Sequence, residues 1–175
     1  LNKSSKKGIK WLDMPKSNID GWNKLKTLIP FMKPQIETLG AGLDTDNPTN
    51  IGGYNYPNLT VYADAKEEEI YNFIKALDES YNFYKDINAV MHKWRIDIAS
   101  GTPAEIPIHK GAIKYLKEKN LWTKEDENWN NARLKRLSLL KNTWENFIIE
   151  NSDLDNKNFK IKWLKERESV LAKNQ

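Results

Sequence analysis

Two histidines, His92 and His109, are the only imidazoles in the chain, and imidazole is the side chain whose ordinary titration lies closest to neutral pH. They stand in separate segments, and neither has a serine or carboxylate partner at the spacing of a nucleophilic relay. His109 is read as a side chain that hydrogen-bonds at a helix start, with a ligand or general-base role as the sharper alternative. The chain has no cysteine, which excludes disulfides, thiolate metal sites and a cysteine nucleophile. Asp44 and Asp46 pair two carboxylates that suit a hard cation. The DTDNP run lacks the glycine and the distal bidentate glutamate of a calcium loop, however, so a turn is expected. Gly40-Ala41-Gly42 falls short of a dinucleotide fingerprint, because no GxGxxG opens onto a helix. These residues predict no catalytic group, no metal and no cofactor, and hence no enzyme.

Charge and hydropathy narrow the classes further. The 28 Lys and Arg against 24 Asp and Glu leave a net charge of +4, with the two signs interspersed, whereas a nucleic-acid binder concentrates its cations in a stripe that displaces counterions. Lys157, Lys160, Lys162, Lys165 and Arg167 come nearest, but Glu166 and Glu168 sit among them, so a solvated helix face is expected and no nucleic-acid partner. No run approaches the eighteen or so apolar residues of a spanning helix, so the chain is not expected to be membrane-embedded. Absence of thiols fits export. The sequence starts at Leu1 with no basic n-region or apolar h-region, so an export signal is expected outside it and the chain is expected to be truncated. A chain of 175 residues ordinarily makes one domain with a substantial core.

The elements that would position any site are written in periodicity. Gly8 to Met14 alternates as a short strand halted by Pro15. Asp20 is expected to cap a brief helix with Trp22, Leu25, Leu28 and Ile29 on its buried side, ended by Pro30 and Pro34. Gln35 to Leu39 reads as a strand and the following GAGLDTDNPTNIGG as the longest loop. Leu59, Val61 and Ala63 alternate with Thr60 and Tyr62, the pattern of a strand. Asp64 and Glu67 then read as a capping pair for a helix running to Asp86–Asn88, its stripe of Ile70, Phe73, Ile74, Leu77, Tyr81 and Tyr84 facing inward. The aromatic stripe Tyr71, Tyr81 and Tyr84 is expected to be structural. After an irregular connection anchored by Trp94, HKGAIKYLKEKN makes a shorter helix. Thr123 to Asp126 repeats the capping pattern before a long, heavily buried helix from Trp129 to Ile148, and Asp155 opens a last helix with Phe159, Trp163, Leu164, Val170 and Leu171 inward.

Taken together, GIKWLDMP, GWNKLKTLIPFM, GAGLDTDNP, YPNLTVYADA and HKGAIKYLKEKNLW resemble, in order and spacing, the second half of a TAXI-type solute-binding protein. That family supplies the extracytoplasmic receptor of TRAP (tripartite ATP-independent periplasmic) transporters. Lys110 departs from the pattern, since the family usually carries proline between the His and the Gly, which leaves the start of that helix less rigid here. The tail after Glu150 has no match, and the family's first half, with most of its ligand-contacting loops, has no counterpart.

The resemblance implies a helix-rich α/β chain forming part of a type II periplasmic-binding-protein fold, the C-terminal half of a two-lobed receptor. Residues 1–57 would be the remainder of the second lobe with the approach to the hinge, 58–150 the hinge strand and C-terminal helices of the first lobe, and 151–175 a helical extension. Tyr54, Tyr56, Thr60 and Tyr62 would then border the cleft and offer hydroxyls and ring faces to a ligand, with core packing as the competing reading for each. The implied function is periplasmic capture of a small organic anion, a dicarboxylate or an amino acid, by lobe closure, and its delivery to TRAP membrane permease subunits. The competing class is a helical protein–protein interaction module with no small ligand, which the basic tail favours; an enzyme comes third.

Overall fold

The computed structural model describes residues 9–55 and 58–173 of a helix-rich α/β chain that forms two compact units, Leu1–Trp122 and Thr123–Gln175.

In the first unit, α1 (Ile19–Leu28) is capped by Asn18, whose side chain accepts from the Gly21 N–H at 3.1 Å. The expected cap, Asp20, instead lies in the first turn, where its charge complements the helix dipole. Trp22 is buried and its indole N–H donates to the Pro15 carbonyl at 3.0 Å, while Leu28, expected inward, is 81% exposed. Residues 9–14 do not form the expected strand. They are fastened one residue at a time: Trp11 Nε1 donates to Ala41 O at 3.0 Å, Met14 N donates to Asn50 O at 2.8 Å, and Asp13 Oδ1 accepts from the Asn50 side chain at 2.8 Å.

A two-stranded antiparallel ribbon follows, β1 (Lys33–Glu37) and β2 (Thr49–Gly53), with Lys33 opposite Gly53 and Glu37 opposite Thr49. β1 starts two residues before the expected Gln35 and tolerates Pro34 because a ribbon strand has a free side that needs no ladder donor. β2 occupies the end of what reads as loop. A Cβ at Gly52 would stand 3.0 Å from Met32 Sδ and 3.7 Å from Trp22 Cη2, so the bare backbone is what lets both side chains lie against the ribbon.

Residues 58–62 form no strand, Ala63 begins a turn, and Leu59, Val61 and Tyr62 are exposed. The alternation there makes no strand because no third strand stands beside it among the described residues; a period of two specifies a strand only through its ladder. Asp64 likewise caps nothing. α2 (Glu67–Glu79) begins after Lys66 without a side-chain cap, helped by three acidic residues in its first turn. Ser80 then separates it from α3 (Tyr81–Tyr84), where one continuous helix is expected. The connection holds a 3-10 helix, Met91–Trp94, and α4 (Ile96–Ala99).

α5 (Lys110–Glu118) forms as expected and packs on α2. Tyr71 and Tyr115 meet edge to face at 5.7 Å, Tyr71 Oη donates to Glu118 at 2.6 Å, and Tyr115 and Leu116 are buried. Tyr81 and Tyr84 also meet edge to face, and Tyr84 Oη donates to Leu77 O at 3.1 Å, so the tyrosine stripe is structural.

The second unit is α6 (Lys124–Glu150) and α7 (Asn156–Lys173). Thr123 and Asp126 close the expected capping box, and Asp155 Oδ1 accepts from the Lys157 and Asn158 N–H groups at 3.0 and 3.1 Å. Trp144, Phe147, Phe159 and Trp163 interlock, the closest pair, Trp144 and Trp163, at 4.7 Å. Residue 150, an expected boundary, is the last of α6. Burial is lighter than the aromatic content suggests: Phe147 is buried, whereas Leu137, Trp144, Ile148 and Leu164 are exposed, because a helix pair shields one stripe of each helix.

Candidate functional site

The four residues expected to border a cleft are placed unevenly. Tyr54 follows β2, half exposed, with its ring edge to face with Phe31 at 6.0 Å. Thr60 and Tyr62 lie on the unpaired segment in solvent, Tyr62 at 87% exposure. Tyr56 lies outside the described residues. None of the three described residues is buried.

Polar side chains between Tyr54 and Thr60 tie this stretch to the connection ahead of α5. Asn55 Nδ2 donates to Ala99 O at 3.3 Å, and Asn58 Nδ2 donates to Glu105 Oε2 at 2.9 Å. The other carboxylate oxygen, Glu105 Oε1, is buried with no hydrogen-bond partner among the described residues, and the same is true of His109 Nε2. Such atoms each forgo about 1–3 kcal/mol of solvation. His109 caps α5 by accepting the Gly111 N–H on Nδ1 at 3.1 Å, which leaves the proton of a neutral imidazole on Nε2. His109 therefore presents a donor and Glu105 an acceptor. The cap is legible in the sequence; Glu105 is not, because a lone glutamate between Pro103 and Pro107 carries no spacing signal.

A separate open cleft of about 370 Å³ runs along α1, lined by Asp13, Met14, Pro15, Trp22, Leu25 and Leu28. Its walls are mainly apolar, and its one carboxylate, Asp13, is engaged by Asn50.

Among the other carboxylates, Glu37 and Asp44 are held by donors within the first unit. Glu37 accepts from Lys93 Nζ at 2.8 Å on both oxygens and from the Thr38 and Leu39 N–H groups at 3.0 and 2.9 Å. Burial pushes this carboxyl up, but Lys93 and the two backbone donors together hold it below the usual carboxylate range. Asp44 Oδ1 accepts from Asp46 N and Asn47 N at 2.9 and 2.8 Å, the expected turn. Asp86 Oδ1 lies 3.6 Å from His92 Nε2, with both side chains in solvent, too far for a hydrogen bond.

The chain belongs to the NMT1-like family, whose model matches residues 4–119. This is a periplasmic solute-binding-like family, and membership assigns an extracytoplasmic binding-protein role in transport, with a small-molecule ligand. The matched stretch lies within the first unit. No curated protein and no solved structure matches the chain. Among the described residues no helix is long and apolar enough to cross a membrane.

Proposed function

We propose that this protein is the solute-binding component of a TRAP transporter of the TAXI type, working in the periplasm. It captures a small organic anion, a dicarboxylate or an amino acid, by lobe closure and hands it to the membrane permease, with no bond made or broken. The observation that carries this reading is the match of residues 4–119 to a solute-binding-like family, together with the order of the GIKWLDMP, YPNLTVYADA and HKGAIKYLKEKNLW motifs. In this reading the described unit contributes part of a type II periplasmic-binding-protein fold, and Tyr54, Tyr56, Thr60 and Tyr62 line the ligand's approach. Exposure of Thr60 and Tyr62 suits an open state, since rings that close over a ligand stand in solvent beforehand.

A thermal-shift screen of the full chain against organic acids and amino acids tests it, because a ligand selective for the folded state raises the melting temperature by mass action. Absence of any shift across both compound classes contradicts the proposal.

A second reading draws on the unit Thr123–Gln175, which lies outside the matched residues. Its helices leave Leu134, Leu137 and Ile149 exposed, which supports a helical protein-interaction module. Retention of a protein partner by the full chain, with no response to any small solute, would favour it.

A further inference from the structure

Glu105 Oε1 and His109 Nε2 differ from the other polar atoms of the first unit described above. Glu37 accepts on both oxygens, and Asp78, Asp44 and Glu118 each accept on one, whereas Glu105 Oε1 and His109 Nε2 are buried and unpaired among the described residues. They are complementary in kind, a carboxylate acceptor and an imidazole donor, on one short segment. Each side chain is also pinned through its other atom: Glu105 by Asn58 at 2.9 Å and His109 by the Gly111 N–H at 3.1 Å. Groups held in place through one atom and left unused at the other are preorganised for a ligand.

We propose that Glu105 and His109 bind a small solute carrying both an N–H donor and an acceptor atom, the donor meeting Glu105 Oε1 and the acceptor meeting His109 Nε2. This rests on the receptor reading above and narrows its solute. A dicarboxylate brings only acceptors and sets like charge against Glu105. An amino acid or a carboxamide brings both partners. Residues 58–62 pair with no strand among the described residues and are anchored to Glu105 through Asn58.

The test is isothermal titration of the full chain with L-amino acids, simple carboxamides and saturated dicarboxylates, on the wild type, Glu105→Gln and His109→Asn. The glutamine keeps an acceptor for Asn58 but offers N–H where the solute needs an acceptor. The asparagine keeps an acceptor for the Gly111 N–H but has no atom at the Nε2 position. The expected result is binding of an amino acid or carboxamide, weakened about tenfold or more by each substitution, with the melting temperature of each unliganded variant at or above that of the wild type. Binding that both variants retain unchanged, or binding of dicarboxylates alone, overturns this inference and leaves the receptor reading intact. No binding of any compound overturns both.

Discussion

Tyr115 Oη donates to Asp78 Oδ2 at 2.7 Å from a ring that is 2% exposed, and the same oxygen lies 3.1 Å from Lys119 Nζ. The carboxylate of α2 thus holds two donors, a neutral one from α5 and a charged one from the residue that follows it. Burial, and then the bond to Asp78, push the phenol well above its ordinary range, so it donates throughout the physiological window. Replacing Tyr115 by Phe keeps the ring and removes the donor. The expected loss is about 1.5–3 kcal/mol, the span for hydrogen bonds to charged groups, read by urea denaturation. A loss below a few tenths would mean that Lys119 alone satisfies Asp78.

Gly111 places the α5 backbone directly against α2. A Cβ there would overlap the Glu67 carbonyl oxygen and stand 2.9 Å from both Ile70 Cβ and Tyr71 N. Alanine in a helix interior normally gains about 1 kcal/mol over glycine. Here overpacking against backbone outweighs that gain, so Gly111→Ala is expected to destabilise by roughly 1–3 kcal/mol. Chemical denaturation gives the sign directly, and a more stable variant would contradict the packing described.

Much of this packing is legible in the sequence because it rests on local rules. The Thr123–Asp126 box, the Asp155 start of α7 and the His109 cap each follow from side chains reaching backbone groups two or three residues away. Where the outcome depends on a distant partner, local pattern misleads. Among the described residues Leu59, Val61 and Ala63 alternate without a strand to pair with, and Ile9 to Met14 meet Asn50 and Ala41 without joining the ribbon. β2 was hidden for the converse reason, since Gly52 and Gly53 read as turn residues until Met32 and Trp22 are seen to need the space. The Glu105–Asn58 contact spans 47 positions, a distance over which no motif operates.

Glu37 makes stability depend on acid. Its folded-state value is lowered from the ordinary 4.5, so the folded state binds fewer protons than the unfolded state there. The stabilisation is fully present above about pH 4.5 and is lost as pH falls through the lowered folded value. Glu37→Gln is expected to reduce stability at neutral pH and to flatten the decline below 4.5. Denaturation midpoints across the acid range provide the measurement. An unchanged acid slope would assign that decline to other carboxylates.

Thr123 closes the start of α6 by accepting from Asp126 N at 3.1 Å and donating to Asp126 Oδ2 at 2.6 Å. Thr123→Ala removes the cap and is expected to lower stability by about 1 kcal/mol, whereas Thr123→Ser restores most of it. Equal loss in both variants would mean that the methyl group, not the hydroxyl, matters.

Tyr62 distinguishes a binding role from packing. At 87% exposure it contributes little to the fold, so Tyr62→Ala is expected to leave the unliganded melting temperature nearly unchanged while weakening solute binding. A marked fall in melting temperature would place the ring in the packed structure.

Capture of a small solute is read from the melting temperature of the full chain with and without organic acids and amino acids. A solute at about a hundred times its dissociation constant adds about 2.7 kcal/mol, which for a chain of this size is a rise on the order of 5–10 °C. At least one compound is expected to give such a rise, growing with concentration. A melting temperature unmoved by every compound at millimolar concentration would contradict it.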